Sequence, residues 1–184
     1  MTSADNHGAL AALLREATKS AHRALDHHPL LAPLVRRTLT MADYADALAG
    51  LHAPQAALEQ LLAGFAPVED FKPRLPDLRA DLASLSVLPP PLGATPPCAS
   101  GVAARIGIMY VIEGSNLGGA AIARVLETSL PVAPRAFFGG AGGAERWRRF
   151  WRFADAWHPD PDIAVAAARE TFGFFHHHLD SCLG

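Results

Sequence analysis

His22 and Asp26 are the residues whose spacing points most directly to chemistry. They stand four apart in GALAALLREATKSAHRALDH, residues 8–27. On a helix, side chains at i and i+4 are neighbours. A carboxylate there can accept from the imidazole Nδ1–H, which fixes the tautomer and leaves Nε2 free to bind a metal. Arg15 and Lys19 lie seven and three residues earlier, roughly on the same side, and can pair the carboxylates of an anionic ligand. Each feature also has a plainer explanation. A lone histidine among Ala17, Ala21 and Ala24, on a face that otherwise reads as buried, is more often a satisfied structural histidine. Arg15 and Lys19 equally fit a solvated basic edge.

A second stretch, RIGIMYVIEGSNLGGAAIARVL at 105–126, reads as a buried helix at both ends. Its middle holds Gly114, Ser115, Asn116, Gly118 and Gly119. Each glycine costs a helix interior about 1 kcal/mol relative to alanine, so the cluster needs a reason. Gly lets another helix or a flat ligand come within backbone contact distance, and Gly and Ser also allow a kink. Close helix packing and a helix laid across a planar cofactor are both open on this motif alone.

Other candidates are weaker. Arg146, Arg148, Arg149 and Arg152 alternate with Trp147, Phe150, Trp151 and Phe153. They suit either an anion site or an amphipathic helix with a solvated face. His176, His177 and His178 cannot converge on one metal ion, because successive helical residues point about 100° apart. Phe172, Phe174 and Phe175 read as core. There is no Ser/His/Asp arrangement, phosphate loop or metalloprotease helix motif. An enzyme here has to take its chemistry from a cofactor.

The elements that position these residues all read as helices. Leu10, Leu13, Leu14, Ala17, Ala21, Ala24 and Leu25 make an apolar stripe over 8–27, ended by His27, His28 and Pro29. A short helix is expected over 30–37. Thr40 is an N-cap with Asp43 three residues on, opening a helix that runs to about Gly64 and is kinked at Pro54. Residues 74–86 form another amphipathic helix. The proline-rich stretch VLPPPLGATPP, 87–97, is a surface connection. The glycine helix is expected from Cys98 to Ser129, a Gly/Pro-rich loop over 130–144, and helices over 145–157 and 162–182. No strand and no repeat is visible. The expectation is an all-α, single-domain multi-helix bundle of seven or so helices over residues 1–184, with residues 1–8 a flexible N-terminus.

Composition sets the class. Half of the 184 residues are hydrophobic, and 16 Lys and Arg stand against 18 Asp and Glu. That balance does not suggest a nucleic-acid binder or a polybasic membrane binder. Cys98 and Cys182 form no metal-like spacing and no disulfide framework. Asp5, Asn6 and His7 do not read as a signal peptide, and no apolar run reaches the roughly 18 residues of a membrane span. A cytoplasmic protein is expected.

Taken together, LREATKSAHRALD (14–26), YVIEGSNLGGA (110–120) and RETFGFFHHHL (169–179) resemble the heme oxygenase family, the second stretch especially its bacterial members with EGS-x-LGG. The resemblance covers most of residues 10–181 and implies a heme oxygenase-like bundle. By it, His22 ligates heme iron and Asp26 holds His22. Arg15 and Lys19 lie near the propionates, and Arg148 and Arg152 do so by a looser match. Gly114, Gly118 and Gly119 lie against the distal heme face. The mammalian-type pattern carries an aspartate after the first distal glycine, where it orders the water network that protonates bound oxygen. Here Ser115 stands there, leaving Ser115, Asn116 or ordered water to support the network. The implied reaction consumes heme, which is both substrate and cofactor, with O2 and external electrons, giving biliverdin, CO and ferrous iron. No flavin or iron–sulfur motif is present, so the implied donor is a ferredoxin or flavodoxin with its reductase. A bilin-binding photoreceptor is an implied product acceptor. Two alternatives are a non-catalytic heme-binding or sequestering protein of the same fold, motivated by Ser115, and a relative that holds another ligand, as thiamin-degrading members of this fold do, with His22 structural.

Overall fold

In the computed structural model, residues 8–65, 72–140 and 142–183 are described. The expected flexible N-terminus lies outside them, apart from the exposed Gly8 that precedes the first helix. Among the described residues there are seven α-helices and no strand.

Helix α1, Ala9–Asp26, buries Ala11, Leu14 and Thr18. The apolar stripe divides, because Leu13 and Ala24 face outwards. The expected short helix is one 3-10 turn, Ala32–Val35. Helix α2, Met41–Leu62, opens on a complete capping box. Thr40 Oγ1 accepts from the Asp43 N–H at 3.1 Å, and the Asp43 carboxylate accepts from the Thr40 N–H at 3.1 Å. The helix continues through the buried Pro54.

Helix α3, Leu75–Leu85, starts on the buried Glu59 of α2, whose Oε1 accepts from the N–H groups of Arg74 and Leu75 at 2.6 and 3.1 Å. Helix α4, Gly101–Ser129, begins three residues later than expected and passes unbroken through the glycine cluster.

Helix α5, Ala136–Gly139, lies inside the stretch expected to be a loop. Its first turn is fixed from outside. The buried Asp81 of α3 accepts from the N–H groups of Ala136 and Phe137, both at 2.9 Å. That long-range cap and the burial of Phe137 and Phe138 overrode the local Gly/Pro signal. Helices α6, Gly143–Trp157, and α7, Pro161–Ser181, complete the chain, α7 starting on an Asp160 cap.

Helix α7 lies against both α1 and α4, and α6 packs on α4. Leu14, Ile106, Ile112, Trp151, Phe172 and Phe174 form one core, and Tyr44, Leu48, Leu78, Leu126, Phe137 and Phe138 a second. By length and composition α4 is the one described helix apolar enough to cross a membrane, with mean hydropathy 1.3 over 18 residues. The sequence reading had found no such run. Here 44% of that window is buried among the other helices.

The three adjacent histidines do three different things. His178 is buried and its Nδ1 accepts from the Gly93 N–H at 3.0 Å, which docks the proline-rich connection onto α7. His176 pairs with Asp180 at 3.0 Å, and His177 is exposed.

The close crossing of α4 and α7 rests on Gly107. A Cβ there would overlap the Ala164 carbonyl oxygen and stand 3.0 Å from Ala167 Cβ. Gly107→Ala is expected to destabilise the fold by about 2 kcal/mol, as overpacking of a tight core does. Denaturant unfolding measures this, and an unchanged midpoint would show that the crossing has slack.

Candidate functional site

The i,i+4 pair on α1 forms as its spacing suggests: His22 Nδ1 lies 2.9 Å from Asp26 Oδ2. Its surroundings differ from the expectation. The His22 and Asp26 side chains are 60% and 59% exposed, and the neighbouring Ala24 is in solvent. The His22 ring rests on Phe172 of α7, with centroids 5.8 Å apart. Asp26 takes Nδ1, and no hydrogen bond among the described residues engages Nε2. This is the donor state a neutral imidazole needs to ligate a metal.

Beside His22 is a cleft of about 250 Å³, lined by Arg15, Thr18, Lys19, His22, Arg23 and Asp26 of α1 and by Tyr110 of α4. Arg15 and Lys19 therefore share the space of His22. The volume is below the roughly 300–1,000 Å³ of common small-molecule sites, so a ligand there must also use the adjoining surface. Arg23 and Tyr110 escaped the sequence reading. The signal for Tyr110 was present: it stands one helical step of four before Gly114.

That step identifies a face of α4. Tyr110, Gly114 and Gly118 recur every fourth residue on one side. A Cβ at Gly118 would meet nothing within 4 Å, and one at Gly114 would meet only the Trp147 ring of α6, at an ordinary 3.7 Å. Neither glycine is demanded by helix packing, in contrast with Gly107. Ser115 is exposed beside them, its hydroxyl donating to the Ile112 carbonyl at 2.7 Å.

Two expected distal residues are not on this face. At about 100° per residue, Asn116 and Gly119 come about 160° and 140° around the helix from Gly114. Gly119 faces Phe138 of α5: a Cβ there would stand 3.6 Å from the Phe138 Cδ1. Asn116 Nδ2 donates to Glu113 Oε2 at 3.1 Å, and Asn116 Oδ1 accepts from Arg74 Nη1. Glu113 is buried and is held by both arms of Arg146, Nη2 at 2.7 Å and Nε at 2.9 Å. Arg74 lies 4.1 Å over the Phe137 ring. Its own burial, reinforced by the nearby Arg146 charge, pulls its pKa down to about 10. The polar side of α4 is thus a clamp made with α3, α5 and α6.

Arg148 and Arg152 do not line the cleft. Both point along the exposed side of α6 to Glu145, at 2.7 and 3.5 Å. A glutamate three residues before one arginine and seven before the other shares their helical side, and it neutralises them locally.

A curated protein named heme oxygenase, from Xanthomonas campestris pv. campestris (strain 8004), is 40% identical over 115 residues, which span 58% of this chain and 67% of that protein. Among solved structures, the NO- and CO-bound heme oxygenase of Neisseria meningitidis superposes with a TM-score of 0.71 at 21% identity, covering 95% of this chain and 92% of that one. Heme oxygenase-1 of the cyanobacterium Synechocystis sp. PCC6803, in complex with heme, gives 0.69 at 15% identity, covering 94% and 91%. No protein-family model matches the chain.

Breaking the clamp should cost more than its surface counterparts. Arg146→Met leaves Glu113 charged and buried, and is expected to destabilise the protein by about 3 kcal/mol. Arg148→Met, which breaks an exposed pair, is expected to cost at most about 1 kcal/mol. Paired denaturant unfolding curves test this, and equal losses would mean that Glu113 carries no buried charge.

Proposed function

This chain belongs to the heme oxygenase family, and we propose that it opens heme to biliverdin, with release of CO and ferrous iron, using O2 and external electrons. The observation that carries the reading is the His22–Asp26 pair in a cleft with three cations, Arg15, Lys19 and Arg23, whose other wall, Tyr110, belongs to the open glycine face of α4. The residues fit the group. A tautomer-fixed imidazole with a free Nε2 suits iron, Arg15 and Lys19 suit two propionates, and no helix packing demands the absent side chain of Gly118.

In this reading Nε2 of His22 would hold the heme iron, and Asp26 orients the imidazole. Arg15 and Lys19 take the propionates, with the Tyr110 hydroxyl beside them. Arg148 and Arg152, engaged by Glu145, are left out of that set. Gly114 and Gly118 let the α4 backbone approach the macrocycle closely. Ser115 holds water at that face through its oxygen lone pairs. Gly119 and Asn116 act from behind, by fixing α4. Bound heme supplies the redox-active iron and is itself consumed. The electrons come from a ferredoxin or flavodoxin with its reductase, and a bilin-binding photoreceptor is a fitting acceptor of the product. Residues 1–184 act as one domain.

A specific observation favours a second reading, a non-catalytic heme binder. Ser115 donates its proton to Ile112, Asn116 is turned away, and the glycine face of α4 presents no carboxylic acid.

A hemin titration followed by an electron donor in air tests both. Equimolar saturable growth of a Soret band, then its loss with growth of a biliverdin band, is the expected outcome. A Soret band that persists under reduction selects the second reading, and no saturable binding ends both. In His22→Ala the ferric spectrum should change and affinity should fall by at least about tenfold, roughly 1.4 kcal/mol of binding. A ferric spectrum like that of the wild type would remove His22 as ligand.

A further inference from the structure

We infer that Trp147 is a specificity-determining residue, an indole wall at one end of the glycine face of α4 that fixes how the bound macrocycle is rotated in its own plane. The inference rests on heme being the ligand, and it starts from a difference between two glycines. At Gly114 the Cζ3 and Cη2 atoms of Trp147 lie 3.7 and 3.8 Å from where a Cβ would stand, whereas at Gly118 nothing lies within 4 Å. A flat ligand on this face meets an aromatic edge at one end and open space at the other.

The wall is held in place. Trp147 stacks on Phe150, with centroids 5.4 Å apart and planes at 27°, and meets Trp151 edge-on at 5.3 Å. Tyr110, which lines the His22 cleft, is 5.7 Å from the indole. The helix that carries the wall is itself tied to α4. Arg146 grips Glu113 one residue earlier, and at Gly143 a Cβ would come within 3.0 Å of the Asn116 carbonyl oxygen. Helix α6 therefore sets the indole against α4 over one turn, and the wall cannot yield without releasing a buried ion pair. A rigid aromatic edge excludes rotations that push a propionate-free corner of the macrocycle into it, while those that use the Gly118 side remain. The edge of the macrocycle left over open space is then the one that reacts.

The test compares the wild type, Trp147→Phe and Trp147→Ala, each loaded with hemin, equilibrated, and converted to the ferric cyanide complex. Proton NMR of the shifted heme methyl groups counts the seated orientations without any turnover. The wild type and Trp147→Phe are expected to show one dominant set. Trp147→Ala should raise a second set, moving the population ratio by about tenfold, equivalent to about 1.4 kcal/mol. The isomer ratio of the biliverdin product should move with it. If Trp147→Ala loses its helical circular dichroism, Trp147→Leu, which keeps apolar bulk without the ring, is measured for the same shift. A folded Trp147→Ala, or Trp147→Leu measured in its place, that binds equimolar hemin with the wild-type population ratio overturns the inference. A wild type with no saturable hemin binding overturns the proposed function instead, and the titration tells the two failures apart.

Discussion

The buried Glu113 carboxylate, gripped by Arg146, is the interaction on which the site depends. Helix α4 has to leave one face bare, and three glycines within six residues lower the helix propensity of that segment. Stabilisation must therefore come from behind. Two arms of Arg146, the Asn116 amide and the packing of Gly119 on Phe138 supply it. Burying such a pair costs several kcal/mol per ion, and only good geometry offsets that. The bidentate 2.7 and 2.9 Å contacts provide it. The same clamp explains why α3, α5 and α6 converge on one short segment: Arg74, Phe138 and Arg146 each reach α4 within a few residues of Glu113.

Identical residue types on α4 serve opposite purposes. Gly107 leaves no room for a Cβ because α7 crosses there, at Gly119 a Cβ would make ordinary contact with Phe138 of α5, and at Gly118 nothing in the protein fills the space beside it. The sequence shows that α4 carries glycines where a helix prefers alanine. It does not show which helix, if any, crosses at each one, since that depends on partners more than forty residues away for Gly107. For this reason close packing and a ligand face both stand open from the sequence; close packing is seen at Gly107, and the open space at Gly118 leaves room for the proposed ligand.

What was legible follows how local each interaction is. The His22–Asp26 contact and the Thr40–Asp43 box lie within four residues, and helical spacing alone specifies them. Helices α1 and α6, whose apolar residues recur with strong helical periodicity, were visible for the same reason. The exposure of His22 was not, because it depends on how distant helices pack against α1. Nor was α5, which is capped by Asp81, 55 residues away. Arg148 and Arg152 are engaged by Glu145, which stands on the same side of the helix and is visible in the sequence three and seven residues before them. Glu113 drew no attention because a single glutamate in an apolar run has no periodic signal. Its burial was the clue, and burial is a tertiary property.

Ser115 bears on how the proposed reaction is supplied with protons. Its hydroxyl proton is directed to the Ile112 carbonyl at 2.7 Å, so the group facing solvent is an acceptor. An acceptor can hold a water in place but cannot hand it a proton. Asn116 cannot substitute, since its amide is spent on Glu113 and Arg74. In the proposed reaction the proton source at this face would then be water, oriented by Ser115 and supplied from the surface that is open at Gly118. That arrangement favours a site whose distal side stays wet, with the glycines serving as much to admit water as to admit the macrocycle. The rigid clamp then has a second consequence. Because Ser115 sits between Gly114 and Asn116, fixing the back of α4 also fixes the Ser115 hydroxyl oxygen beside its open face.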